Sequence, residues 1–114
     1  MALKLKSKQG LKDYLLLLAS QAPLEASRQA ELLKLSAQGD AAGIRELVEA
    51  LLPKVLHWVS PRRGEALSFQ ELIAIGNCAL IESVKAYHGS PERFEEAACL
   101  AVHQALDTAL KMGA

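Results

Sequence analysis

The sequence predicts an all-α protein, folded as a compact bundle of about five helices in a single domain. Apolar residues recur at spacings of three and four, and no stretch alternates with the period of two that strands require. Hydrophobic residues make up 51% of the 114 residues but aromatic residues only 4%, so leucine, alanine, valine and isoleucine have to form most of the core. We expect a basic, flexible tail at residues 1–10, N-terminal helices at 11–38 and a three-helix core at 39–112.

Two short helices are predicted in the N-terminal part. The first covers residues 11–20 and is followed by a break at Pro23. The second runs over residues 24–38 and stops at Gly39, because glycine readily takes the left-handed conformation that ends a helix. Its apolar stripe consists of Ala30, Leu33 and Ala37.

The third predicted helix is long and begins after Asp40, whose side chain can cap the first free amides. Pro53 lies inside this helix and should kink it, because proline lacks a backbone donor and crowds the preceding turn. Residues 60–64 then form a turn or short loop. The apolar stripe comprises Ile44, Leu47, Val48, Leu51, Leu52, Val55, Leu56 and Val59.

The last two helices have clear start signals. Ser68 and Glu71 form a capping-box pattern, in which each side chain satisfies a backbone amide at the start of the fourth helix. Ser90 and Pro91 suit the start of the fifth helix, although a turn could delay that start to Phe94. The expected ends are His88-Gly89 and Gly113.

Charge and cysteine content limit the possible functions. Thirteen basic and thirteen acidic residues cancel, so no overall positive field attracts the chain to nucleic acid. The one basic cluster, at Lys4, Lys6, Lys8 and Lys12, is interpreted as part of the solvated tail. Cys78 and Cys99 form no CxxC pair and are expected to be buried, reduced thiols of a cytoplasmic protein.

No membrane segment or chemical motif is apparent. The densest apolar run, Leu15 to Leu18, is far shorter than the roughly 20 residues of a membrane span. His57, His88 and His103 have no metal-site spacing, and no phosphate-binding loop or nucleophile elbow occurs. Glu95 and Glu96 are adjacent on a helix and point about 100° apart. We therefore predict no enzymatic activity, no catalytic residue, no metal and no cofactor.

Several motifs follow one another in a fixed order. They are Asp13-Tyr14-Leu15, Pro23-Leu24, Gly39-Asp40, Leu47-Val48-Glu49-Ala50, Glu71-Leu72-Ile73-Ala74-Ile75-Gly76-Asn77-Cys78-Ala79-Leu80, Val84-Lys85-Ala86-Tyr87, Phe94 and Val102-His103-Gln104-Ala105. This series resembles the second conserved region of the sigma-70 family of RNA polymerase sigma factors, with the short segment that precedes it. The likeness covers residues 11–112 and implies the family's helical fold.

The resemblance also implies a face for binding the RNA polymerase core, at the pair of clamp helices that family members bind. Glu71 and Asn77 match the family at its contact positions. A glutamine–glutamate pair of the family is replaced by Ala74 and Ile75, and an asparagine is replaced by Leu51. Leu80 is a further candidate for this face, but its place on the apolar stripe favours burial in the core. These changes predict a more apolar docking face.

The positions that open promoter DNA in the family are altered. A tyrosine and two tryptophans are replaced by Ala97, Leu100 and Ala101. Small hydroxyl residues are replaced by Glu95 and Glu96, and an arginine by His103, while Gln104 is retained. Because base stacking on aromatic side chains is worth roughly 1–3 kcal/mol per base, their loss implies weak or no DNA binding and no promoter opening.

The resemblance therefore implies a degenerate, truncated sigma-like transcription protein that is no complete initiation factor by itself. Its expected partner is the RNA polymerase core or a transcription regulator. The alternative is a helical interaction module that kept this fold but binds another sigma factor, an anti-sigma-type regulator or its own copy as a homo-oligomer.

Overall fold

The computed structural model describes residues 8–112, which form five α-helices and no strand. The predicted all-α bundle is thus confirmed. The helices are α1 (Lys8–Ala19), α2 (Ala26–Ala37), α3 (Ala41–Val59), α4 (Phe69–Ala86) and α5 (Phe94–Lys111), with short 3₁₀ helices at Ser60–Arg62 and Pro91–Arg93. Because α1 begins at Lys8, the predicted tail was wrong for residues 8–10. The rest of that tail, with Lys4 and Lys6, and the expected end at Gly113 lie outside the described residues.

Local capping sets the starts of α3 and α4. The Asp40 side chain accepts a hydrogen bond of 2.7 Å from the amide of Gly43, and Gly39 before it has a φ of 82°. At α4, Ser68 and Glu71 form the predicted capping box. Each cap satisfies amides that no helical carbonyl can reach, so these boundaries follow from short-range sequence alone. The fifth helix takes the later of its two predicted starts, after the 3₁₀ turn.

The core lies where α3, α4 and α5 meet, with α2 closing one side. Gly76 on α4 allows a close approach to α3, because a Cβ at this position would lie only 2.7 Å from Cγ1 of Val55 and 3.1 Å from Cγ1 of Val59. The largest fully buried side chains are Phe94, Leu32, Leu47, Leu51, Leu72, Ile73, Leu80, Leu106, Val55, Val59, Val84 and Val102. The core therefore consists of aliphatic side chains around a single fully buried aromatic residue, Phe94.

Ion pairs connect the helices at the surface. Lys54 Nζ on α3 lies 2.6 Å from Glu95 Oε1 on α5, and Arg28 on α2 bonds both carboxylate oxygens of Glu46 on α3. Exposed pairs of this kind contribute up to about 1 kcal/mol each. They orient neighbouring helices more than they stabilise the bundle. None of the helices within residues 8–112 is long and apolar enough to cross a bilayer.

Candidate binding faces on α4 and α5

The buried stripe of α4 decides which of its residues face solvent. Its buried residues are Leu72, Ile73, Gly76, Ala79, Leu80 and Val84. Successive helical residues are about 100° apart, so the opposite side of the helix carries a row with spacings of three and four. We call this row the α4 face; it consists of Glu71, Ala74, Cys78, Ile81 and Lys85, all of them exposed.

A shallow groove runs along one edge of the α4 face. It is lined by Ala74, Ile75, Cys78, Ala79 and Glu82 of α4 and by Ala105 of α5. Ile75, which the resemblance implies for the docking face, is half-buried and packs against the core from the groove wall. Glu82 is the one charged residue in this lining. The groove is therefore suited to apolar contacts rather than to chemistry.

Glu71 has a defined position at the start of the α4 face. Its Oε1 accepts a hydrogen bond of 2.9 Å from the amide of Ser68, and its own amide donates to the Ser68 hydroxyl at 3.1 Å. The bond from the Ser68 backbone is the main reason that the pKa of Glu71 is lowered, and the Ser68 side chain adds to it. The carboxylate is therefore a fixed negative charge, exposed at one end of the row.

The resemblance implies that Asn77 contacts a partner, but its side chain is already bonded within the chain. Its Nδ2 donates a hydrogen bond of 3.0 Å to the hydroxyl of Tyr14 on α1. Its Oδ1 is buried without a hydrogen-bond partner among the described residues. The sequence contained both residues, but no local pattern could show that α1 would cover this side of α4.

Leu51 does not lie on the docking face, whereas Leu80 is buried, as its place on the apolar stripe predicted. Leu51 is only 1% exposed, because it lies on the inward side of α3, and Leu80 is fully buried on α4. In contrast, the sequence interpretation missed Cys78, which was expected to be buried but is exposed; Cys99 is half-buried, and both thiols are free. Cys78 lies opposite the buried stripe of its helix, so helical spacing could have identified it.

Four of the six predicted promoter-binding positions, three altered and one retained, share one exposed face of α5. These are Glu96, Ala97, Leu100 and Gln104, and Leu100 at their centre is 59% exposed. Ala101 and His103 are half-buried at the two edges. The carbonyl oxygen of His103 accepts a bond of 3.4 Å from Arg62, whose guanidinium also lies 2.8 Å from Asp107. This face thus has an acidic start and no aromatic side chain.

The described residues contain no cluster of three or more histidine, cysteine, aspartate or glutamate side chains that could hold a metal ion. The two exposed faces, on α4 and α5, hold most of the positions at which the resemblance implies binding. No protein-family model matches the chain, and no curated protein does so significantly.

Proposed function

We propose that the chain is a non-enzymatic, sigma-factor-like transcription protein that binds the RNA polymerase core through the α4 face and leaves promoter DNA closed. Within the same proposal, the partner bound by this face is either the polymerase core or a transcription regulator. One observation carries the proposal. Three positions at which the resemblance implies polymerase contacts, Glu71, Ala74 and Ile75, lie together on the first two turns of α4, at a capped and well-defined helix start.

The face of α5 supports the second half of the proposal. Binding of an unpaired strand relies on aromatic stacking and on positive charge along the phosphates. The exposed face of α5 presents Ala97 and Leu100 instead of aromatic rings, and Glu96 beside them repels phosphate. With a net charge of zero, the chain offers no compensating attraction.

A second candidate function is a helical interaction module with a different partner. Two predicted polymerase contacts do not lie on the surface for this purpose, which favours a different partner. Asn77 is bonded to Tyr14, and Leu51 is in the core. What remains on α4 is a face with an apolar centre between charged ends. Such a surface suits an apolar helix better than it suits a polar, charged docking site.

Titration of fluorescently labelled protein with purified bacterial core RNA polymerase tests the proposal. Saturable binding is expected, and Ala74→Arg should weaken it at least about tenfold by placing a long, charged side chain in the contact. Ala97→Arg is the matched control, since it makes the same change at an exposed alanine of α5 and should leave the affinity unchanged. Failure to bind core polymerase, or equal effects of the two variants, would refute this binding mode.

Permanganate footprinting on a strong promoter tests the absence of opening. An authentic sigma factor with core polymerase provides the positive control. The chain with core polymerase should give no reactive thymines. The chain alone should bind promoter DNA no more tightly than the range of about 10⁻⁴ to 10⁻⁶ M typical of non-specific contacts. Thymines that become reactive only when this protein is added would contradict the proposal.

A further inference from the structure

The α4 face is complementary to itself when one copy is turned end to end against another. We infer that the chain forms a two-fold symmetric dimer in which the α4 faces of two copies pack antiparallel, with Cys78 at the centre. The inference rests on the geometry of α4 and not on the proposed function. Its occupant is a second copy of this chain.

Spacing along the α4 face is the first argument. Glu71, Ala74, Cys78, Ile81 and Lys85 follow intervals of three, four, three and four. This is the interval pattern by which helices pair along a seam, and all five positions are exposed. No other residue of the described chain covers the row, which therefore presents a continuous strip to a second helix.

Charge placement is the second argument and determines the orientation. Glu71 lies seven residues before Cys78, and Lys85 lies seven residues after it. The two charges are about 21 Å apart along the helix axis and cannot meet within one chain. Neither forms an ion pair among the residues that the structure describes. In an antiparallel dimer each Glu71 lies opposite Lys85 of the other copy, twice by symmetry. A parallel dimer would oppose like charges and is disfavoured.

The middle of the strip fits the same operation. The two-fold places Ala74 of one copy within one residue step, about 1.5 Å along the axis, of Ile81 of the other, so a small side chain meets a large one on both sides of the centre. Ile81 is 36% exposed in the single chain, and its burial would remove apolar surface from water. The groove that contains Ile75 borders this contact and extends the apolar area.

The interface is small. A row of this length covers less than the roughly 800 Å² per partner found in stable complexes, so we expect a weak and reversible dimer. A dissociation constant on the order of 10 to 100 μM fits an interface of this kind. Because the dimer covers the face proposed for polymerase, self-association and that binding would exclude each other.

Sedimentation equilibrium of the full chain, without any other protein, tests the charge pairing. The wild-type chain should dimerise with concentration, and Lys85→Glu should weaken the dimer at least about tenfold because it opposes Glu71. Adding Glu71→Gln, which keeps the capping box, should restore part of the affinity. Lys34→Glu is the matched control: both lysines are exposed in the last turn of a helix. A wild-type monomer at about 1 mM, or a dimer indifferent to Lys85→Glu, overturns the inference.

Chemical cross-linking tests the central position independently of any charge variant. The short reagent bis-maleimidoethane joins two thiols that lie close together. Cys99→Ser, which retains Cys78, should be cross-linked to a dimer, whereas Cys78→Ser, which retains Cys99, should not. Equal cross-linking of the two variants, or cross-linking through Cys99 alone, would exclude the antiparallel geometry. Since no polymerase is present in either test, loss of polymerase binding and loss of the dimer are separate results.

Discussion

The side-chain amide of Asn77 on α4 donates a hydrogen bond of 3.0 Å to the hydroxyl of Tyr14 on α1. Tyr14 is 7% exposed and joins Leu18 in the core, so α1 is held both by apolar burial and by this polar bond. A partly buried hydrogen bond restricts orientation as well as position, because separating the two groups leaves each without a hydrogen-bond partner and costs free energy. The bond therefore connects α1 to α4.

Removal of the Tyr14 hydroxyl should destabilise the protein. Tyr14→Phe leaves Nδ2 of Asn77 without its partner, next to an Oδ1 that already has none. The expected loss is about 1–2 kcal/mol of unfolding free energy, measured by urea denaturation. Tyr87→Phe is the control, since that hydroxyl donates to the Ser90 carbonyl at an exposed site where water can replace it. Equal losses for the two variants would contradict the role given to the Tyr14 bond.

Tyr14 should also titrate at unusually high pH. Burial raises the pKa of Tyr14 above 10.0, against a smaller lowering by its bond with Asn77. The folded chain then holds this proton to higher pH than the unfolded chain does. The contribution of protonated Tyr14 to the free energy of unfolding is fully present below pH 10.0. It is lost as the pH rises through the pKa of Tyr14 in the folded chain. Phenolate absorbance of Tyr87→Phe, which leaves Tyr14 as the only tyrosine, should show a midpoint above 10.0 that falls to about 10 in denaturant.

The parts of the fold that the sequence predicted are those fixed by neighbours along the chain. Asp40 and the pair Ser68–Glu71 act within one helical turn, so their caps could be identified from spacing alone. The burial of Leu51 and the bond of Asn77 depend on how helices distant in sequence pack together. A resemblance at single positions carries no information on that packing. For this reason Leu51 and Asn77 were both predicted on the docking face.

Gly76 should not tolerate a methyl group, although alanine favours helices by about 1 kcal/mol relative to glycine. The added Cβ would lie 2.7 Å from Val55 Cγ1, and filling such a contact costs about 1–3 kcal/mol. We expect a net loss of roughly 1–2 kcal/mol for Gly76→Ala in urea denaturation. The double variant with Val55→Ala makes room for the new methyl group, so its loss should be smaller than the sum of the single losses. Simple additivity would indicate that α3 and α4 move apart freely.

The two thiols should differ in reactivity. Cys78 is exposed, whereas burial raises the pKa of Cys99 and lowers its thiolate fraction. At low micromolar concentration, where the proposed dimer dissociates, Cys99→Ser should react with an aromatic disulfide reagent at least about tenfold faster than Cys78→Ser. In denaturant the two rates should become equal. A faster Cys99 would show that α5 opens more readily than its packing implies.

Ile75 gives the sharpest separation between the two candidate functions. It is half-buried on the wall of the groove, so Ile75→Glu can direct its carboxylate to solvent and should preserve the helical circular dichroism. The expected loss of stability is no more than about 2 kcal/mol. Ile73→Glu is the matched control, because Ile73 is fully buried two residues earlier and the same change there should unfold the chain.

The binding result for Ile75→Glu then identifies the kind of partner. The family carries glutamate at this position, so a polymerase partner should bind the variant more tightly than the wild type. A partner that recognises the groove by apolar contact should instead bind it at least about tenfold more weakly, because a charge replaces buried apolar surface. Unfolding of Ile75→Glu to the same degree as Ile73→Glu would show that Ile75 belongs to the core and not to a binding groove beside the α4 face.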